Sequence, residues 1–282
     1  MLHFKPTAST LAAALAVAAV PSLAAAQILP GFDAESIPAN DDGSADAAAL
    51  GFEVNFFGQR FDEVFVNNNG NVTFDQPLSS FTPFDLTSTN TPIIAPFFAD
   101  VDTRGAGSAL VTFGQGEVGG RDAFGATYDG VGFFSSRADL LNAFQVVLID
   151  RSDVGEGDFD FVFNYEQIQF ETGNASGGND GLGGSSARVG FSNGTGEPGT
   201  SFEQPGSAVN GAFLDGGPNS LADLETLLFE VRNGAVTPVD PTPPVAPPVD
   251  PTPPTNPNPI PTPSAALAGL ALLGGVIGRR KR

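Results

Sequence analysis

Residues 158–165 read Asp-Phe-Asp-Phe-Val-Phe-Asn-Tyr. Phe159, Phe161, Phe163 and Tyr165 alternate with Asp158, Asp160, Val162 and Asn164, which is the period of a strand with one apolar and one mostly polar face. The same period recurs on either side. Phe52, Val54 and Phe56 alternate with Glu53 and Asn55; Val72 and Phe74 alternate with Asn71, Thr73 and Asp75; Ala187, Val189 and Phe191 alternate with Arg188, Gly190 and Ser192. The run Phe144–Ile149 (FQVVLI) carries apolar residues on both faces and reads as a central strand covered on both sides. Asn67-Asn68-Asn69-Gly70 stands between two such runs and supplies the residue types that tolerate positive φ, so it predicts a hairpin. Gly155-Glu156-Gly157 predicts a second. Many short strands separated by polar turns predict an all-β, single β-sandwich-like domain of mostly antiparallel strands.

Exceptions to this pattern are few. Ser220–Leu228 reads as a short helix, with Leu221, Leu224, Leu227 and Leu228 on one face. Gly173–Ser186, GNASGGNDGLGGSS, reads as a long mobile loop. Gln27–Ala49 reads as a polar, half-ordered lead-in. The β-domain is placed at 50–236.

The 282-residue chain contains 25 Phe but no Trp, 2 Tyr and 1 Met, so Phe supplies most of the aromatic core. It has no Cys, and its one His is His3. Without disulfides the core alone must hold the fold. Nucleophile systems that need His or Cys are excluded beyond His3, and a metal would find oxygen ligands only. All 32 acidic residues lie between Asp33 and Asp250, and only seven Arg lie among them, a balance of 7 − 32 = −25. Such a field repels phosphate backbones, excludes nucleic acid as a partner and attracts cations.

Both ends read as addresses. Residues 1–26 combine Lys5, the apolar run Leu11–Val20 and Ala24-Ala25-Ala26, the order of a signal peptide. Residues 237–263 are a Pro-rich linker that favours an extended polyproline II stalk. Residues 264–282 carry a short apolar segment, predicted helical, and end in Arg279-Arg280-Lys281-Arg282. That tail resembles the PEP-CTERM class of sorting signals of Gram-negative bacteria, although Pro261-Thr262-Pro263 lacks the Glu of the motif. The resemblance implies an exosortase-type processing enzyme as a partner and transient anchoring in the inner membrane through the C-terminal segment. The expected location is the outer surface or the extracellular matrix.

The order of five central segments is similar to that of the nidogen-like (NIDO) extracellular domain: Val64–Pro77 (VFVNNNGNVTFDQP), Thr91–Asp102 (TPIIAPFFADVD), Phe144–Asp150 (FQVVLID), Asp160–Ile168 (DFVFNYEQI) and Ala187–Gly196 (ARVGFSNGTG). The resemblance covers about 50–232. Phe98 stands where Trp is common in the family. The resemblance implies a non-catalytic module for adhesion or matrix association, and it supplies no catalytic residues. Its partner would be extracellular polysaccharide or a matrix or surface protein, bound through Phe or Tyr anchors and bridging cations.

Asp100 and Asp102 are the candidate site residues. At i and i+2 they point the same way if the strand Ile93–Ala99 continues through them. Three readings stand: a calcium site, an acid/base pair of a carbohydrate-active enzyme, or carboxylates that cap the Thr103-Arg104-Gly105 turn and pair with Arg104. The acids Asp150, Asp153, Glu156, Asp158 and Asp160 crowd one hairpin and read as a solvated tip or a cation lure. A purely structural matrix protein is the remaining alternative.

Overall fold

The computed structural model describes residues 28–224 and 226–239. These form a two-layer sandwich. The larger sheet has seven strands in the spatial order β1 (Glu35–Ser36), β6 (Thr112–Val118), β7 (Arg121–Phe133), β8 (Arg137–Asp150), β9 (Phe159–Gln167), β12 (Thr226–Arg232) and β13 (Ala235–Val239). The smaller has six: β11 (Ser201–Glu203), β10 (Arg188–Asn193), β5 (Pro92–Phe98), β4 (Asn71–Thr73), β3 (Gln59–Asn67) and β2 (Ala48–Phe56). Every neighbouring pair is antiparallel. The strand containing Phe144–Ile149 is the middle one of seven, as its apolar run predicts.

The predicted alternation in β9 builds the core. Phe159, Phe161, Phe163 and Tyr165 are buried between the sheets. Phe161 stacks on Phe229 of β12 at 4.7 Å between ring centroids and meets Phe191 of the opposite sheet edge-on at 5.7 Å. The two tyrosines are fully buried, and each hydroxyl finds a carbonyl across the layers, which is what burying a Tyr demands. Tyr128 of β7 donates to Asn67 O at 2.7 Å, and Tyr165 donates to Pro96 O at 2.7 Å. Both sheets are thereby pinned together by polar bonds as well as by apolar area.

The Asn-Gly hairpin forms between β3 and β4 and lies inside the protein: Asn67, Asn68, Asn69 and Asn71 are all buried. Gly70 adopts φ 77°, and a Cβ there would lie 1.8 Å from Phe97 O. Only Gly fits, because the turn needs both positive φ and backbone contact.

Four expectations are corrected. The outer face of β9 is not wet: Asp160, Val162 and Asn164 are buried. The residues doing this come partly from 28–49, which is packed rather than half-ordered. Leu29 and Phe32 lie with Ala123, Val147 and Val162 over the outside of the larger sheet, and Gln145 bonds both Leu29 N and Leu29 O. The Leu-rich helix shrinks to α1 (Leu221–Leu224), and the chain then enters β12. There Leu227, Phe229 and Val231 face inward, so period two prevails over the apparent helical spacing once Phe229 and Val231 have a core to fill. The glycine-rich stretch 173–186 is tied down, with a 3₁₀ turn at Asn174–Ser176 and bonds from Glu171 N to Gly181 O and from Ser185 N to Ser176 O.

No helix among the described residues is long and apolar enough to cross a membrane. The signal peptide, most of the Pro-rich linker and the apolar tail fall outside the described residues.

Candidate functional site

β5 stops at Phe98, and the backbone bends at Ala99. Asp100 and Asp102 therefore do not share a face, which corrects their predicted pairing. Asp102 turns onto Arg104. Arg104 Nε donates to Oδ1 at 2.9 Å and Nη2 to Oδ2 at 2.6 Å, while the Arg104 and Ser136 backbone N–H groups donate to Oδ1 and Oδ2. Both oxygens are occupied. Burial raises the Asp102 carboxyl, but these donors outweigh it and the net displacement is downward. Asp102 thus has the turn-capping geometry.

Asp100 faces another way. Its side chain is wholly excluded from solvent. Oδ2 accepts a 3.3 Å bond from Ser176 N, and among the described residues no donor reaches Oδ1. Its neighbours are Asp41 and Asp42, and one carboxylate oxygen from each of the three residues lies within 4.8 Å of the other two. Burial, reinforced by the charge of Asp41, pushes the Asp100 carboxyl up to about 7. Burial, then Asp102 and Asp42, pushes Asp41 up to about 6 against the pull of Arg104. Arg104 Nη2 meets Asp41 Oδ2 at 2.9 Å, while Asp41 Oδ1 is buried without a partner.

The surrounding chain is built to hold this arrangement. Asn40 clamps to Thr103 through paired bonds, Asn40 N to Thr103 Oγ1 and Thr103 N to Asn40 O. Asn40 Oδ1 also accepts Gly43 N at 2.6 Å, which closes the turn carrying Asp41 and Asp42. The buried hairpin supplies the rest. Asn68 Nδ2 donates to Asp41 O and Val101 O; Asn69 Nδ2 donates to Asp42 Oδ1, and Asn69 Oδ1 accepts Val101 N. On the far side Gly173 lies against Asp100, where a Cβ would stand 2.4 Å from Oδ2. Asp41 and Asp42 were not singled out from the sequence. They stand in a segment read as a polar lead-in, and nothing local links them to Asp100.

The acidic hairpin at 150–160 is a network of pairs. Asp160 meets Arg151 and Arg232, Asp153 meets Arg121 and Arg151, and Glu156 meets Arg60. A carboxylate also missed from the sequence, Glu171, is buried and accepts Gly211 N and Phe213 N at 2.6 Å each. A cleft of about 540 Å³ runs along residues 28–36 and the β6–β7 edge, and neither Asp100 nor Asp102 lines it. No Phe or Tyr among the described residues is fully exposed; most are buried, and several, among them Phe65, Phe81 and Phe134, are half-buried.

No solved structure matches the chain. Alpha-tectorin of Mus musculus and of Homo sapiens are each 36% identical to it over 187 residues, covering 56% of the chain and 8% of their own length. Nidogen of Drosophila melanogaster is 29% identical over 152 residues, 45% of the chain and 10% of its own length. The chain therefore spans only a small part of these relatives. The model of the nidogen-like domain matches residues 62–213, from within β3, through the buried Asn-Gly hairpin and Asp100, to the Glu171-bound loop at Phe213. That match covers more than half of the sequence, and the chain belongs to the nidogen-like domain family.

Proposed function

We propose that this chain is an exported, non-catalytic module that associates with extracellular matrix or surface components. The observation that carries the reading is the nidogen-like match across residues 62–213, which spans most of the sandwich. The placement suits a core held without disulfides and an acidic exterior. Residues 1–26 would direct export. Residues 237–239, expected at the start of the linker, complete β13 against β12, so residues 240–263 would act as the stalk, and residues 264–282 would be a PEP-CTERM-like tail that holds the chain in the inner membrane until an exosortase-type enzyme processes it.

Adhesion to extracellular polysaccharide or to another surface protein would run through polar loops and strand edges. The exposed large apolar side chains among the described residues, Leu110, Val154 and Val209, are few. A carboxylate-pair hydrolase is disfavoured, because Asp100 and Asp102 are both fully buried and Asp102 is committed to Arg104.

Expression of the full chain in a Gram-negative host, followed by fractionation and a pull-down on isolated extracellular matrix, tests the reading. Recovery outside the inner membrane with saturable retention on matrix supports it. Recovery of an unprocessed chain in the cytosol sinks it, as does turnover of a polysaccharide that disappears with one carboxylate. Export without retention on any matrix leaves the adhesion claim refuted and favours a purely structural role.

A further inference from the structure

We propose that Asp41, Asp42 and Asp100 form a calcium site that fastens the 40–43 turn to the end of β5 and to the 173–176 turn. The inference does not depend on the adhesion reading and would hold for a purely structural chain. Three observations carry it.

The first is spacing. Oxygens bound to one calcium ion at about 2.3–2.6 Å can lie up to roughly 5 Å apart. The three carboxylates each present an oxygen within 4.8 Å of the others. The ligand atoms are hard oxygens, the kind calcium prefers.

The second is an orphaned buried atom. Asp100 is closed off from solvent, and its Oδ1 has no donor among the described residues although Oδ2 has one. Buried polar atoms are nearly always satisfied, and a buried carboxylate oxygen that lacks a partner is costly. Asp41 repeats the pattern: Oδ2 is held by Arg104 and Oδ1 is buried and unpartnered. A cation between the two orphans and Asp42 would satisfy them together.

The third is charge. Asp41, Asp42, Asp100 and Asp102 meet one guanidinium, Arg104, whose donors go to Asp102 and to Asp41 Oδ2. Among the described residues that leaves Asp42 and Asp100 without a basic partner. The geometry is also pre-set, since Asn69 orients Asp42 and Gly173 lets the 173–176 turn close over Asp100. Asp42 is half-buried, so the open side of the site lies there and water would complete the coordination.

The test is a calcium titration of the chelator-treated full chain at constant ionic strength, followed by melting temperature and by calorimetric binding. The expected result is a saturable rise in Tm with a dissociation constant on the order of 10⁻⁴–10⁻³ M, the range of extracellular modules. Asp100→Asn and Asp42→Asn should each weaken calcium binding at least tenfold, while Asp122→Asn, an exposed acid elsewhere on β7, should leave it unchanged. Without calcium, Asp100→Asn should melt at or above the parent temperature. Should Asp100→Asn fail to fold, Asp42→Asn decides, because Asp42 is half-exposed and among the described residues its carboxylate holds only the Asn69 amide. Equal effects of magnesium or sodium chloride at matched ionic strength would overturn the site. Retention of the calcium shift in Asp42→Asn or in a folded Asp100→Asn would also overturn it.

Discussion

In the absence of divalent cations, stability should fall as pH rises from 5 to 7, opposite to the usual acid behaviour of carboxylates. Asp100 faces Asp41 and Asp42, and Arg104 is committed to Asp102 and Asp41. Burial and the neighbouring acids raise Asp100 from 3.8 to about 7. A carboxyl whose folded pKa is raised binds more protons in the native state than in the unfolded state between those two values. Its stabilising contribution is therefore complete below pH 3.8 and is lost as pH climbs through about 7. The native state holds close to one extra proton at pH 5 and about half of one at pH 7, which over that range corresponds to about 2 kcal/mol. For a domain of this size that is a Tm difference of roughly 4–8 °C. Asp41, raised to about 6, acts in the same direction over a narrower window. Thermal or urea unfolding in chelator at pH 5, 6, 7 and 8 measures the slope. Asp100→Asn has no proton to lose and should flatten most of it, and saturating calcium should do the same in the parent chain by holding Asp100 ionised. Parallel curves for the parent and Asp100→Asn would refute the reasoning, since the slope would then come from elsewhere.

Two substitutions test the supports of the site. Gly70→Ala should cost more than about 3 kcal/mol or prevent folding, because the new Cβ would meet Phe97 O at 1.8 Å in a backbone with φ 77°; soluble yield and Tm report it. Arg104→Met should lower the midpoint of urea unfolding near pH 7, because it leaves the buried Asp102 carboxylate without its guanidinium, and the double change Arg104→Met with Asp102→Asn should recover part of the loss.

Much of this architecture is legible in the chain because strand periodicity is local. Phe159, Phe161, Phe163 and Tyr165 declare an inward face by alternation alone, and Asn69-Gly70 declares a turn by its tolerance of positive φ. The run Phe144–Ile149, with apolar residues on both faces, signals a strand covered on both sides. The exclusion of His- and Cys-based chemistry beyond His3 needs only the residue count. Those properties depend on neighbours a few positions away, so composition and spacing carry them.

Tertiary structure decided the rest, because it depends on which distant segments meet. Leu227 and Leu228 fit a helical stripe until Phe229 and Val231 find the core and impose period two. The glycines of 173–186 suggest freedom, yet Gly173 is there for close contact with Asp100. Asp100 and Asp102 look like partners by spacing, but a bend at Ala99 sends one to Arg104 and the other to Asp41 and Asp42. Asp41 and Asp42 reach Asp100 only because Asn40 clamps Thr103 and the Asn68-Asn69 side chains grip both segments. Carboxylates repel, so no local preference of the chain would bring them together; the packing of the sandwich holds them in place.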